Sequence, residues 1–284
     1  TQFTMTSVQD GMKAQVLDHG YVELVDSWGC DARIIEAARM STGKGFNSCG
    51  GAPCPGCEKA ARLSPIDHLF INREYQRQAE LDCKCKGTGK TSGDEKLLAY
   101  LYNHKHMTPF EMCGMVIEVK APIFVFREWH RHRTQSYNEM SARYIPLPNE
   151  NYMPTIENVQ ARIATGGGNK QAGSASQYIP RDDEVGLWLS LLTSAYKQTQ
   201  SVYDHGLALG IPKEVARLPV PVARYSRMRA STSLRNWLQF LTLRMDPSAQ
   251  WEIRQYANAV GTLITELFPR TWALFKGDAD AKGG

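Results

Sequence analysis

Between Ser41 and about Asp94 the chain loses its apolar periodicity: Gly, Pro, Cys and charged residues fill the stretch, with one short helix expected at 65–80. No other feature constrains the fold as much. Loops of this composition cannot bury a core of their own, so the core must be assembled from the sequence on either side, with roughly 47–92 as an insertion. Enough chain remains for that. A length of 284 residues permits one large domain or two small ones at about one domain per ~150 residues. With 42% hydrophobic and 22% charged residues, the composition excludes disorder, collagen and pure coiled coil. We expect one domain over 1–284 that carries the insertion.

Cysteine usage characterises the insertion. Cys30 and Cys113 stand alone, whereas Cys49, Cys54, Cys57, Cys83 and Cys85 cluster. An odd, clustered count argues against a disulfide framework. The stretch reads CGGAPCPGC at 49–57 and CKCKGTG at 83–89. A C-x-x-C knuckle suits one side of a tetrahedral zinc site, and a C-x-C pair supplies the other. Cys54, Cys57, Cys83 and Cys85 are therefore the expected ligands of a closed structural zinc, with Cys49 or His68 as substitutes. Free thiols in a surface insertion are the plainer reading, weakened because such loops usually need a staple.

Outside the insertion, residues 13–26 read as a β-hairpin around Asp18, His19 and Gly20. A helix follows to Met40 with Asp31 as its cap. Helical spacing resumes over Glu95–His104, and Met115–Val119 reads as a strand. Ala121-Pro122 then opens a helix whose Ile123, Phe124, Phe126, Trp129 and His130 recur at helical spacing and which carries Arg127 to Arg133. Residues 160–177 look like a loop, with Lys170 a candidate to close over a phosphate. A long helix is expected over 182–209 with Leu187, Leu191, Tyr196 and Val202 inward. Pro212 starts the next helix. A β-like run at 219–226 leads to a helix at 233–244, and Pro247 opens a last helix reaching Leu267.

The segment RHRTQSYNEMSARY at 131–144 packs cations, a carboxylate and hydroxyls into one helix end and turn. A solvated basic face is the usual meaning of such a run. Here apolar residues interleave with the charges, which favours anionic or polarised ligands instead. Arginine's planar fork matches phosphate bidentately, and Arg217, Arg224, Arg227, Arg229, Arg235 and Arg244 follow downstream. No Walker loop or G-x-G-x-x-G turn is present.

Arg131-His132-Arg133, seven residues, then Ser141 resembles the signature of the flavin-dependent thymidylate synthases. Blocks in the same order extend the resemblance: VLDHGYVELVD at 16–26, AARMS at 37–41, HKHMTPFE at 104–111, VKAPIF at 119–124, EVAR at 214–217, LR at 243–244 and QWEIRQYA at 250–257. It covers nearly the whole chain except the insertion and parts of 155–185.

The resemblance implies an α+β homotetramer, with a central, mainly antiparallel sheet and active sites between subunits. It would make dTMP from dUMP with FAD, methylenetetrahydrofolate and NADPH. Carried over by position, Ser41, His106, Thr108, Glu111, Arg131, His132, Arg133, Thr134, Arg235 and Gln239 fall around the flavin. Glu128, Arg131, Glu139, Met140, Ser141, Ala142, Arg143, Arg217 and Arg244 fall around the nucleotide, and Arg244, Ser141 and His106 at the chemistry. The family activates the pyrimidine electrostatically, without a cysteine nucleophile; Arg244 is the expected polarising group. A bland role for His106 is a helix-end histidine satisfied by backbone, and for Ser141 a turn hydroxyl.

Two positions depart from the family pattern. Glu128 stands where Gln is common, and Ser233-Leu234-Arg235 where Asn-Ala-Arg is common. A carboxylate only accepts hydrogen bonds. Glu128 would therefore favour cytosine if it faced the ring, or clamp Arg131 or Arg143 if it did not; the clamp is the preferred reading. A related enzyme that hydroxymethylates C5 of dCMP or dUMP is the rival function, and a zinc ribbon binding nucleic acid ranks below both. The formal charge of +4 is too slight to imply nucleic acid. With no apolar run near the ~20 residues of a membrane span, and no signal-peptide pattern in Thr1 to Gly11, a cytoplasmic location is expected.

Overall fold

A computed structural model describes residues 12–41, 43, 93–165 and 178–282. Most of the expected insertion, the helix at 65–80, all five clustered cysteines, His68 and Lys170 lie outside the described residues. Two compact units emerge, Thr1–Trp28 with Gly114–Leu267, and Gly29–Cys113 with Phe268–Gly284.

The first unit is built on strands β1 (Lys13–Val16), β2 (Gly20–Trp28), β3 (Gly114–Pro122), β4 (Ser136–Glu139) and β5 (Tyr225–Ser233). They form one sheet in the order β1-β2-β3-β5-β4, with every neighbouring pair antiparallel. This is the expected mixture of helices with an antiparallel sheet. Alternation along β3 decides which face is inside: Met115, Ile117, Val119 and Ala121 are buried, while Glu118 and Lys120 are half-buried on the other face. The hairpin forms where expected. A Cβ on Gly20 would lie 2.0 Å from Tyr256 Oη, so only glycine permits the tyrosine hydroxyl to reach Lys120 O at 2.8 Å.

Helix α3 (Ile123–Trp129) follows β3, α7 (Leu234–Arg244) follows β5, and α8 (Trp251–Leu267) is buried along most of its length. Trp129 stacks on Phe240 at 4.6 Å, Trp237 meets Phe240 edge-on at 5.9 Å, and all three are fully buried. Each such pair adds about 0.5–1.5 kcal/mol beyond its area.

Several boundaries differ from expectation, each for a physical reason. The arginine-rich helix stops at Trp129, because residues 130–135 turn back into β4. The strand predicted at 219–226 begins only at Tyr225, past Pro219 and Pro221, which lack the donors a ladder needs. Residues 156–165, of which 160–165 were predicted as loop, form helix α4 (Ile156–Thr165); Thr155 Oγ1 accepts from Asn158 N at 3.2 Å at its start. The long helix α5 (Asp182–Ala208) is present, but Leu187 (64% exposed), Leu191 (61%) and Val202 (55%) do not face inward. Of the four, Tyr196 alone turns in, its hydroxyl donating to Tyr152 O at 3.2 Å, while Val185, Tyr203 and Gly206 form the buried face. A four-residue helix α6 (Lys213–Ala216) begins after Pro212, and α8 begins at Trp251 rather than Pro247.

In the second unit α1 (Asp31–Met40), α2 (Gly93–Asn103), a 3-10 turn at Thr108–Glu111 and α9 (Pro269–Lys282) pack together. Asp31 does not cap its own helix. It lies inside α1's first turn, buried, and accepts from Arg270 N at 2.9 Å and Thr271 N at 3.2 Å, so it caps α9, an element the sequence reading omitted. Arg39 near the end of α1 pairs with Asp94 at the start of α2. The chain therefore leaves and re-enters this unit at neighbouring points around the predicted insertion.

Candidate active site

In the first unit, the turn after α3 is held from three sides. Trp129 Nε1 donates to Gln135 Oε1 at 3.1 Å across the turn. Tyr137 Oη, at the start of β4, lies 2.7 Å from His132 O and 3.1 Å from Trp129 O, sharing its one proton between them. Thr232 Oγ1 of β5 donates to Thr134 O at 3.0 Å. Trp129 was marked in the sequence only by its helical spacing, and Gln135 and Tyr137 were not singled out, since an anchor across a turn has no spacing signature.

His132 is thereby buried, 4.8 Å edge-on from Phe240, while Arg131, Arg133 and Thr134 stay exposed. Its Nε2 accepts from Arg244 Nε at 2.8 Å. Burial, and then the charge of Arg244, pulls the imidazole pKa from 6.5 down to about 4, with Glu128 opposing. The ring is neutral near pH 7, with its proton on Nδ1. Arg244, the last residue of α7, also donates from its terminal nitrogens to Glu128 Oε2 at 2.8 Å and to Glu128 O at 2.9 Å. Glu128 is thus a clamp, but on Arg244, and not on Arg131 or Arg143 as expected. No ion pair engages Arg131 or Arg133 among the described residues, and Gln239 is exposed on the same helix as Arg235 and Arg244.

The expected nucleotide-side residues follow β4. Met140 N bonds Arg227 O at 2.8 Å, which fixes where Glu139 ends the strand. Ser141 Oγ accepts from Arg143 N at 3.3 Å and Tyr144 N closes on Ser141 O at 3.0 Å, so the serine shapes a turn; among the described residues no base contacts it. Ala142 is buried beneath. Arg143 Nε reaches Glu214 Oε2 of α6 at 2.8 Å, and exposed Arg217 caps the same helix. Glu214 is a residue the sequence reading quoted only within its block.

The other downstream arginines divide by environment. Arg224 is fully buried and spends its guanidinium on Asn151 Oδ1, Pro148 O and Gln200 Oε1 at 2.7–3.0 Å, so it is an internal strut and not a phosphate ligand. Arg227 and Arg229 lie at 3.8 and 3.5 Å from Glu118 on the polar face of the sheet.

In the second unit, Lys105 adopts φ +59°, a conformation costly for a side-chain-bearing residue, and the chain turns so that His106 N bonds Leu101 O. His104 is the histidine satisfied by backbone, its Nδ1 2.9 Å from Tyr100 O. His106 is exposed, edge-on to Tyr100 at 5.7 Å. Thr108 and Glu111 lie on the 3-10 turn, and Ser41 Oγ donates to Ala38 O at the end of α1. Cys113 is buried, its thiol pushed up to about 12 by burial first, which removes it as a nucleophile. Among the described residues no group of three metal-ligating side chains converges, and no helix is long and apolar enough to cross a membrane.

Comparison with known proteins bears directly on this arrangement. The family model described as thymidylate synthase complementing protein matches residues 23–270. The flavin-dependent thymidylate synthase of Thermus thermophilus is 35% identical over 261 residues, 92% of this chain and 77% of its own. That of Wolbachia pipientis is 34% identical over 264 residues, covering 92% and 75%. Among solved structures, the UMP/dUMP methylase PolB of Streptomyces cacaoi, bound with 5-Br dUMP, superposes with a TM-score of 0.65 at 27% identity over 93% of this chain and 97% of its own. A match spanning β2 to the start of α9, and including the Arg131-His132-Arg133 turn with Arg244 against it, means that this chain belongs to the flavin-dependent thymidylate synthase family.

Proposed function

We propose that the protein methylates C5 of dUMP to give dTMP, with methylenetetrahydrofolate as carbon donor and NADPH as the source of reducing equivalents. The observation that carries this is Arg244: a guanidinium only 15% exposed, oriented by a neutral imidazole and a carboxylate at the R-H-R turn. Such a fixed, half-desolvated cation stabilises negative charge that builds on a pyrimidine carbonyl when C5 attacks, because it need not reorganise as the charge develops.

The donor set fits a flavin. Arg131 and Arg133 are exposed cations without ion pairs among the described residues, next to Thr134 in the chain, and an anionic reduced ring or a pyrophosphate would compensate them. FAD, when bound, supplies the hydride that completes the methyl group. The chain's own work is to hold the groups: Arg143 and Arg217 take the nucleotide phosphate, Glu139 to Ala142 frame the sugar and base, and Arg235 joins the flavin side. Ser41, His106, Thr108 and Glu111 carry flavin-side roles in the same proposal, as does His106 near the chemistry. Ser141 contacts substrate as a turn hydroxyl and not as a nucleophile. The assembly is a homotetramer with sites between subunits, supported by the exposed apolar stripe of α5. The insertion 47–92 is a zinc-stapled loop within one domain.

The test is mass analysis of the product after anaerobic incubation with reduced flavin and methylenetetrahydrofolate, offering dUMP, UMP and dCMP in parallel. A methylated uracil nucleotide is expected, with kcat falling at least about a hundredfold in Arg244→Lys, whose single ammonium cannot reproduce the three fixed donations. Hydroxymethylation, or turnover of dCMP alone, would overturn it.

A further inference from the structure

Cys30 and Cys113 are the cysteines of the described residues, and both lie in the second unit. Each stands next to a point where the chain enters or leaves that unit, since the last rung between β2 and β3 joins Trp28 to Gly114. Past that rung the two segments remain in contact. Gly29, at φ +74°, approaches so closely that a Cβ on it would lie 2.6 Å from the Cys113 Cβ and 3.1 Å from its Cα. Cys30 is the next residue, and Cys113 Sγ lies 3.9 Å from its carbonyl oxygen, within reach of a charge on the Cys30 thiol. A disulfide joins residues whose Cα atoms are about 4.4–6.8 Å apart, the range of neighbours across two segments in contact. The two thiols differ in access: Cys30 is exposed and Cys113 fully buried.

We propose that Cys30 and Cys113 form a reversible disulfide, a redox latch that closes residues 30–113 into a ring. Helices α1 and α2 lie inside that ring, as do Ser41, His106, Thr108 and Glu111. A small disulfide, oxidised glutathione, supplies the oxidising equivalents. Cys30, as thiolate, attacks one of its sulfurs, forming a mixed disulfide and releasing one glutathione thiolate. Cys113 then gives up its proton to solvent and attacks Cys30 Sγ, which forms the internal S–S bond and releases the second glutathione. Two protein thiols are oxidised, and one glutathione disulfide is reduced to two thiols. A thiolate too scarce to serve a diffusing substrate is still competent toward a sulfur held against it, because contact replaces concentration.

Burial makes the latch slow in both directions. With the Cys113 thiol pushed up to about 12, little thiolate exists near pH 7 to close the bridge. Opening requires an external thiolate to attack the Cys30 sulfur and expel Cys113, and a thiolate of such high pKa is a poor leaving group. Where glutathione keeps thiols reduced, a bridge of this kind is transient and answers to oxidation instead of serving as a permanent staple.

The full chain is held in glutathione buffers of rising oxidised-to-reduced ratio at pH 7, 8 and 9, alongside Cys30→Ser and Cys113→Ala. Samples are quenched in acid, alkylated, digested and mapped by mass spectrometry. A peptide pair linked through Cys30 and Cys113 is expected, reversed by excess reduced glutathione, with a rate of formation that rises roughly tenfold per pH unit. The linked protein's Tm should exceed that of the reduced protein by at least about 5 °C. Cys113→Ala should keep glutathione on Cys30, and Cys30→Ser should leave Cys113 unmodified; neither should show the rise in Tm. A glutathione adduct that persists on Cys30 in the natural protein overturns the proposal, as does Cys30 linked to one of the clustered cysteines. So does a Cys30–Cys113 link that forms only after urea has unfolded the chain.

Discussion

Protonation of His132 would set two cations 2.8 Å apart, since the nitrogen that would take the proton is the one accepting from Arg244. Its pKa, pulled down to about 4, has a definite consequence for stability. Above pH 6.5 the ring is neutral whether the chain is folded or not, and pH has no effect through it. Between about 6.5 and 4 the unfolded chain binds a proton that the folded one refuses, so stability falls as pH falls; below 4 both are protonated and the slope ends. The loss across that window is on the order of 3 kcal/mol. His132→Gln keeps an acceptor for Arg244 but cannot titrate. Urea unfolding at pH 7 and pH 4.5 should show a smaller loss in the variant than in the natural protein, and equal losses would mean that His132 titrates normally. The R-H-R run made these residues visible in the sequence, while their geometry was not. Nothing in the order of residues says that Arg224 is a buried strut while Arg244, equally arginine and equally downstream, closes on His132. That difference arises from which side chains a tertiary contact desolvates.

Elements were legible where periodicity and punctuation agree. The hairpin, α1, α2, β3, α5 and α7 all stand within a few residues of the sequence reading. Misplaced boundaries fall where a donor is missing or a distant partner decides: Pro219 and Pro221 delay β5, and Asp31, whose position suggests an N-cap, caps another helix through Thr271. Helix α5 shows a further limit. Apolar spacing marks a face that wants burial and does not name what buries it. Leu187 and Leu191, one turn apart, remain more than 60% exposed within this chain, with Trp188 beside them at 49%. In the homotetramer proposed above, a second copy covering that stripe would account for residues otherwise costly to expose. Leu187→Glu with Leu191→Glu should therefore shift the species seen by light scattering from tetramer toward dimer or monomer, while helicity by circular dichroism stays within a few per cent of natural. A double variant still fully tetrameric would place the subunit contact elsewhere.

For the whole molecule, the question is whether the core needs 47–92 at all. The pairing of Arg39 with Asp94 and the packing of α1 against α2 hold the two ends of that segment together. Replacing 47–90 by a short Gly-Ser linker shortens the connecting loop between α1 and α2 roughly fivefold, and loop-closure entropy alone then favours the folded state by about 1.4 kcal/mol. A zinc held by Cys54, Cys57, Cys83 and Cys85 would act the other way in the natural chain, since binding that staples the loop also orders it. Three measurements separate these contributions: zinc per chain by elemental analysis, Tm with and without a chelator, and flavin content of the deletion variant. One zinc per chain is expected in the natural protein and none in the deletion. The chelator should lower Tm only in the natural protein. The deletion should fold and retain flavin, because every residue assigned to the flavin lies outside 47–90. Loss of flavin or of the fold on deletion would mean that the segment contributes to the core or to the cofactor site, and the domain would have to be redrawn to include it.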